Sequence, residues 1–397
     1  MDEAARSRRT ASFPIGAAAT LEELELDPHP LLSRLRAREP VSWLPALGAW
    51  LVTRRDLALE VMRDSTTFTV DDPRFSTGQV VGPSMLTLDG AEHGRHRDPF
   101  APPFRRDAVQ GRFTALVESE TERLIDAIEP HGHAELRGSL ASPLAARMAT
   151  HAIGLEHAET ATILGWYEAI VDAVTGVAAG NPVTPAGREA FAALRSRIEP
   201  VLDCEPGSSL AAAAAGQARG LTRAEVVSNV AVIMFGAIET TEGMIANAIL
   251  HLLAHPEQRA LVEGDRELLP NAIEESLRLE PAAAVIDRYA TSDVRLGDAP
   301  IGRRELVTIS IAGANRDPDF FPDPERFEVR RENARQQIAF AAGPHVCIGM
   351  HLARLEAHTA VGRVLDRLPG LRLDPAQPTA PRGLVFRKPP ALHVVWG

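Results

Sequence analysis

The 397-residue sequence predicts a mainly α-helical protein with a few short strands. Three observations carry this. Thr222-Arg223-Ala224-Glu225 is a capping box, and no proline follows until Pro256. A helix from Thr222 to Ala254 would span roughly 50 Å at 1.5 Å per residue. From Arg106 to Ile128, the apolar residues Val109, Phe113, Leu116, Val117 and Leu124 recur at helical spacing. Runs that read as strands are short: Val41–Leu44, Ala49–Val52 and Leu306–Ile311.

In chain order, residues 1–20 are small, polar and Ala-rich and are expected as a mobile tail ahead of a single domain at residues 21–397. A helix is expected from near Pro28, with Leu31, Leu32 and Leu35 inward. Val41–Leu44 and Ala49–Val52 form a hairpin, and Arg54–Arg63 is helical. Asp64 to Leu88 is rich in Thr, Gly, Asp and Pro and reads as a long loop. His131-Gly132-His133 is a turn without a metal-ligand pattern. Helices fill 138–180 and 185–202, with a break at Gly180-Asn181-Pro182, and Ser208–Gly220 is an Ala-rich linker. Ile338, Ala339 and Phe340 end an apolar strand, and Leu384–Phe386 and His393–Trp396 are short strands. No internal repeat is visible.

Composition narrows the function. The net charge of −11 argues against a general nucleic-acid binder. The longest apolar run, Val230 to Ile238, is far short of the ~20 residues of a membrane span, and the N-terminus lacks an apolar signal core. The reading is a cytoplasmic protein with no membrane partner. Its two cysteines, Cys204 and Cys347, favour reduced thiols over a disulfide framework. Lys388 is the only lysine, which reads as a coding bias.

Cys347 stands between a loop and a helix marked by Leu352, Leu355, Val361, Val364 and Leu365. A thiol at a helix start meets unpaired N–H groups and the positive end of the dipole, which favour the thiolate. Gly343 and Gly349 allow unusual backbone angles or close approach of a bulky group. An open thiolate of this kind suits the axial position of a haem iron. His93 and Arg97 are one helical turn apart and can clamp a carboxylate. Glu239, Thr240 and Thr241 interrupt the apolar middle of the long helix, where polar groups are costly unless satisfied or used. Glu275 and Arg278 form an i,i+3 pair.

Phe340-Ala341-Ala342-Gly343-Pro344-His345-Val346-Cys347-Ile348-Gly349, continuing through Leu352-Ala353-Arg354, resembles the haem-binding signature of the cytochrome P-450 family, with Ala341 where the family more often has Gly. Gly236-Ala237-Ile238-Glu239-Thr240 resembles its oxygen-activation segment, and five motifs follow the family's order from His93 to Arg354. The resemblance implies a triangular helical domain with a small β-rich lobe, and thiolate-ligated haem b on Cys347. It implies haem contacts from Phe340, Gly343, Gly349 and Ala237, with propionates held by His93, Arg97, Arg288 and His345. Glu239 and Thr240 are then the catalytic proton relay. Glu275 and Arg278, with Arg326 as third member, are structural.

The implied reaction inserts one atom of O2 into a small hydrophobic organic substrate, such as a secondary-metabolite intermediate. No flavin or nucleotide motif is present, so electrons come from NAD(P)H through a ferredoxin and its reductase. Arg95, Arg105, Arg106 and Arg354 are candidates for the docking face, and the chain is expected as a monomer. Pocket candidates are the 65–88 loop, 170–195, Met234, Ala282–Ile286 and Leu384–Phe386. The same site supports ring coupling, desaturation or peroxide-driven oxidation. A non-catalytic haem sensor or ligand-binding protein is the more distant alternative.

Overall fold

Residues 9–178, 180–204, 212 and 220–397 are described by a computed structural model. The chain begins with three short helices, α1 (Pro14–Ala18), α2 (Leu21–Leu26) and α3 (His29–Arg38), followed by the hairpin β1 (Val41–Leu44) and β2 (Ala49–Val52). Next come α4 (Arg55–Arg63), β3 (Phe68–Thr69), α5 (Ser76–Val81), α6 (Gly90–Arg97), α7 (Arg106–Ile128) and β4 (His133–Glu135). A helical middle contains α8 (Ser142–Ile153), α9 (Thr160–Ala178), α10 (Pro185–Ile198), α11 (Arg223–Ala254), α12 (Pro256–Gly264) and α13 (Leu269–Leu279). The last part holds β5 (Val285–Ala290), β6 (Val294–Leu296), β7 (Ala299–Ile301), β8 (Leu306–Ser310), α14 (Ile311–Ala314), α15 (Met350–Arg367), β9 (Arg372–Leu373) and β10 (His393–Val395).

The central element is α11. Its capping box is formed as the sequence predicts: Thr222 Oγ1 accepts from the Glu225 N–H at 3.3 Å, and Glu225 Oε2 accepts from the Thr222 N–H at 2.7 Å. Its N-terminal half packs with α9 and α10 around Val226, Val230 and Ile238. Its C-terminal half packs with α7, α13 and α15 around Ile245, Ile249 and Leu252. Among the described residues it is the one helix long and apolar enough to cross a membrane, and 56 % of that window is buried inside the protein. It thus serves as the core helix here.

The β-rich lobe is a five-stranded sheet in the order β1-β2-β8-β5-β3. β2 and β8 run parallel, with Trp50 opposite Val307, and β5 and β8 run antiparallel, with Ile286 opposite Ile309. β4, β10 and β9 form a smaller sheet, and β6 pairs with β7.

Three local expectations are corrected. Residues 14–18 of the expected tail are a docked helix: Glu39 accepts from the Ile15 and Gly16 N–H groups at 2.8 and 3.0 Å, and Phe13 is buried edge-on against Trp50. Gly16 permits the close approach, since a Cβ there would meet Ser42 Oγ at 2.1 Å. Residues 1–8 of that tail, and the Ala-rich linker except 212 and 220, lie outside the described residues. The 64–88 loop contains β3 and α5, with Val80 and Val81 packed in the core. Residues 339 and 340 form a turn rather than the end of a strand, because Ile338 N–H bonds to the Asn315 side chain and its carbonyl closes the turn to Ala341.

Candidate functional site

The loop before α15, the middle of α11, the 282–288 segment and the C-terminal end of α6 converge on one interior cavity of about 980 Å³. Gly236, Ala237 and Thr240 of α11 face it, one helical turn apart. Met234 is turned away and buried, and its neighbours Ile233 and Phe235 line the wall instead. The other expected pocket segments do contribute, through Thr77 and Leu86, Val171 and Val174, Ala282 and Ile286, and Phe386.

Cys347 lies on the cavity wall with its thiol accessible from that space. Its N–H donates to the Phe340 carbonyl at 2.8 Å, which closes the loop. Burial pushes the thiol pKa up. The N–H groups of Gly349 and Met350 and the charges of Arg97 and Arg354 pull it down but do not fully offset burial. The helix start therefore supplies donors for a thiolate, and a cation on the sulfur would be needed to complete its stabilisation.

The two loop glycines differ. Gly343 has φ +73°, and a Cβ there would strike the Met62 carbonyl at 2.4 Å, so only glycine fits. Gly349 has an ordinary φ of −88°; a Cβ on it would meet nothing within 4 Å, and the residue borders the cavity. Phe340 is stacked under the Arg354 guanidinium at 4.5 Å. Ala341 holds φ +59°, a left-handed conformation that costs an L-residue roughly 1–2 kcal/mol. Ala341→Gly should therefore raise stability by about 0.5–1 kcal/mol once the freer unfolded chain is subtracted. An upward shift of the thermal midpoint, with unchanged carbon monoxide spectrum, checks this.

The basic residues gather at one side. Arg97 donates to the Val346 carbonyl at 2.6 Å, and Arg288, almost fully buried, donates to the Asp287 carbonyl at 2.7 Å. Neither makes an ion pair with a carboxylate among the described residues. Burial lowers the pKa of both. His93 packs its ring 4.4 Å from that of His345, and its buried Nε2 has no hydrogen-bond partner among the described residues. Burial, His345 and Arg97 push its pKa down to about 4. His345 already has a partner, Asp89, at 2.8 Å. Burial raises the Asp89 pKa, but bonds from His345, Thr69 and the Val70 N–H hold it below the ordinary value.

One buried and one half-buried guanidinium without carboxylate partners among the described residues, an orphaned imidazole nitrogen and a cavity-facing thiol form a consistent donor set. Unpaired buried cations are costly, and a planar group carrying two carboxylates and a thiolate-seeking metal would satisfy all four. Haem has that chemistry, and the residues fit it.

Glu239 and Thr240 stand on the same turn of α11. The Thr240 hydroxyl donates back to the Gly236 carbonyl at 2.6 Å. Glu239 accepts from the Tyr167 hydroxyl and pairs with Lys388 at 2.6 Å. Burial, then Glu239, push the Tyr167 pKa far up, so it remains a donor. Neither partner was found from the sequence. The lone lysine was visible there, but its placement was not.

Behind the loop, Glu275 and Arg278 are fully buried and paired at 2.7 Å. The third member is Arg331, whose Nε donates to Glu275 at 2.9 Å, and not Arg326. The Arg326 side chain is 64 % exposed and, among the described residues, pairs only with Glu328; what it gives the cluster is its carbonyl, which accepts from Arg278 and Arg331. The turn at residues 323–326 points the carbonyl inward and the side chain out, which spacing alone could not reveal. Glu274, beside the cluster, pairs with Arg354 at 2.6 Å and accepts from Gln337 at 3.0 Å, so both ends of the Cys loop are tied to α13.

The family model for cytochrome P450 matches residues 208–393. Cytochrome P450 107B1 of Saccharopolyspora erythraea is 32 % identical over 370 residues, covering 87 % of this chain and 89 % of its own. Nocardicin C N-oxygenase of Nocardia uniformis is 31 % identical over 410 residues, covering 98 % and 99 %. The solved structure of CalO2 superposes with a TM-score of 0.86 at 27 % identity, covering 95 % of this chain and 99 % of that one. With the triangular helical architecture and its small β-rich lobe in common, and identity sustained across nearly the whole length, the chain belongs to the cytochrome P450 family and is an oxygen-incorporating oxidoreductase.

Proposed function

We propose that this protein is a haem-thiolate monooxygenase that inserts one atom of O2 into a hydrophobic organic substrate of secondary metabolism. The observation that carries the reading is that the Cys347 thiol shares one cavity with half-buried Arg97 and buried Arg288, neither of them paired with a carboxylate among the described residues. Cys347 would hold the iron, and Arg97, Arg288 and His93 the propionates, with His345 steadied by Asp89. Haem, when bound, supplies an iron centre at which dioxygen is reduced and one oxygen atom is given to the substrate. Gly236 and Ala237 keep the α11 side of the cavity free of bulk. Thr240 offers a hydroxyl that can pass a proton inward, and Glu239 resupplies it. The mostly apolar wall excludes water and selects an apolar substrate. The Nocardia relative, named for an N-oxygenation of nocardicin C, supports a natural-product substrate.

Electrons reach the site from NAD(P)H through a ferredoxin and its reductase. Of the four arginines considered for docking, Arg105 and Arg106 are exposed at the start of α7 and suit that role. Arg95 is committed to Glu92 and Glu225, and Arg354 to Glu274. The chain, its one catalytic domain including the docked helix at Pro14–Ala18, works as a cytoplasmic monomer.

The test is substrate-dependent NAD(P)H consumption with oxygenated product in a ferredoxin-reconstituted system, after a spectral-shift screen of compounds. Product formed without O2, or none from any binder, rejects the reading. Thr240→Ala should keep the haem spectrum and lower product per NAD(P)H by roughly tenfold or more, with peroxide in its place. Full coupling in this variant removes Thr240 from the relay.

A further inference from the structure

The aromatic wall of the cavity is linked to the groups that hold Glu239. Phe386 packs edge-on against Phe235 with centroids 6.2 Å apart, and Phe235 lies 6.3 Å from Tyr167. Phe235 and Phe386 both line the cavity. The Tyr167 hydroxyl donates to Glu239 Oε2. Two residues after Phe386, the Lys388 ammonium lies 2.6 Å from Glu239 Oε1 and 2.9 Å from Glu242 Oε1.

Lysine is seldom buried unless paired, yet the side chain of the only lysine in the sequence is 11 % exposed. It is held between two carboxylates three residues apart on one face of α11. Gly243 lets the 282 segment pack against this face of α11, because a Cβ there would meet Ala282 Cβ at 2.8 Å, and Lys388 Cβ lies beside it in ordinary contact at 3.5 Å. Glu242 continues outward to Arg137, whose side chain is one-third exposed.

The segment that carries Phe386 and Lys388 is stiff. Arg382 and Lys388 are bridged, and Arg387 between the two pairs with buried Glu280 at 2.8 Å and donates to the Pro381 and Gly383 carbonyls. A push on Phe386 is therefore felt at Lys388, and through Phe235 at Tyr167. Both Glu239 oxygens are engaged, one by each residue, and the Thr240 hydroxyl is turned back to Gly236. Each oxygen keeps a further lone pair, but a carboxylate held from both sides cannot turn toward Thr240 without releasing one partner.

We propose that Tyr167 and Lys388 are positioning residues that latch Glu239, and that a cavity occupant displacing Phe386 or Phe235 loosens the latch. Proton delivery is then tied to the presence of an occupant. This rests on the reading of Glu239 and Thr240 as the proton path.

The single side-chain amine gives a direct readout. The haem-loaded protein is acetylated with an N-hydroxysuccinimide ester, and Lys388 modification is followed by peptide mass. Labelling in the folded wild type should be at least about tenfold slower than in the unfolded chain. 4-Phenylimidazole in the cavity should speed it severalfold. Tyr167→Phe and Phe386→Leu should speed it without any ligand, with the carbon monoxide spectrum as the check on folding. In turnover, Lys388→Met should raise peroxide release in the absence of substrate, and Lys388→Arg should restore the wild-type level. Labelling unmoved by the ligand and by both variants, with coupling lost in Glu239→Gln, overturns the latch and leaves the relay standing. Unchanged coupling in Glu239→Gln overturns the relay, and the latch with it.

Discussion

Cys347→Ser is expected to give a folded protein without thiolate ligation and with turnover reduced on the order of 10³-fold or more, as for loss of one member of a catalytic unit. The loop should survive, because the Cys347 N–H to Phe340 carbonyl bond and the Gly343 turn involve only backbone. What is lost is a soft anionic ligand; a serine hydroxyl stays protonated and binds iron weakly. The Gly349 and Met350 N–H groups that face the sulfur have no thiolate to steady in the variant. The measurement is the spectrum of the reduced, carbon-monoxide-treated protein. Its red-displaced band should vanish while far-ultraviolet circular dichroism stays the same. A variant that keeps both the band and activity would remove Cys347 from the site.

Glu275→Ala should be the most destabilising single change, at roughly 3–5 kcal/mol. It strands Arg278, fully buried, and Arg331, nearly so, without their shared carboxylate. It also removes the acceptor for the Glu328 N–H. The damage spreads toward the Cys loop, because Arg278 donates to the Asn315 and Pro324 carbonyls and Asn315 in turn fixes Ile338. Poor haem retention and a large drop in denaturation midpoint are the expected signs. Arg331→Ala should act in the same direction. Arg326→Ala should change stability by less than about 0.5 kcal/mol, since its side chain is on the surface. Equal effects of the two arginine substitutions would contradict the assignment of Arg331 as the third member.

Local signals made much of this readable in advance. The hairpin at 41–52, the helix at 106–128 and the capping box at Thr222 depend on neighbours a few residues away, so pattern alone placed them. The order of motifs from His93 to Arg354 pointed to the family for the same reason: each is a short contiguous run. Where the reading went astray, the deciding partner lay far along the chain. Glu39, 23 residues after Gly16, turned a supposed tail into a docked helix. Met234 was given to the pocket and its neighbours were not, because the phase of α11 about its axis is set by what packs on its other side.

The residues therefore divide by the range of the forces on them. Backbone preferences and hydrophobic spacing act over a few residues and were enough to identify the helical class, while the Cys loop and the acid–threonine pair were legible as short contiguous motifs that resemble the family's. Burial and charge pairing act across the fold. They chose Arg331 over Arg326, gave His345 to Asp89, and brought a lone lysine from the segment before β10 against Glu239, 149 positions earlier in the chain. No local pattern encodes such a meeting, because a buried charge accepts whichever counter-charge the packing delivers.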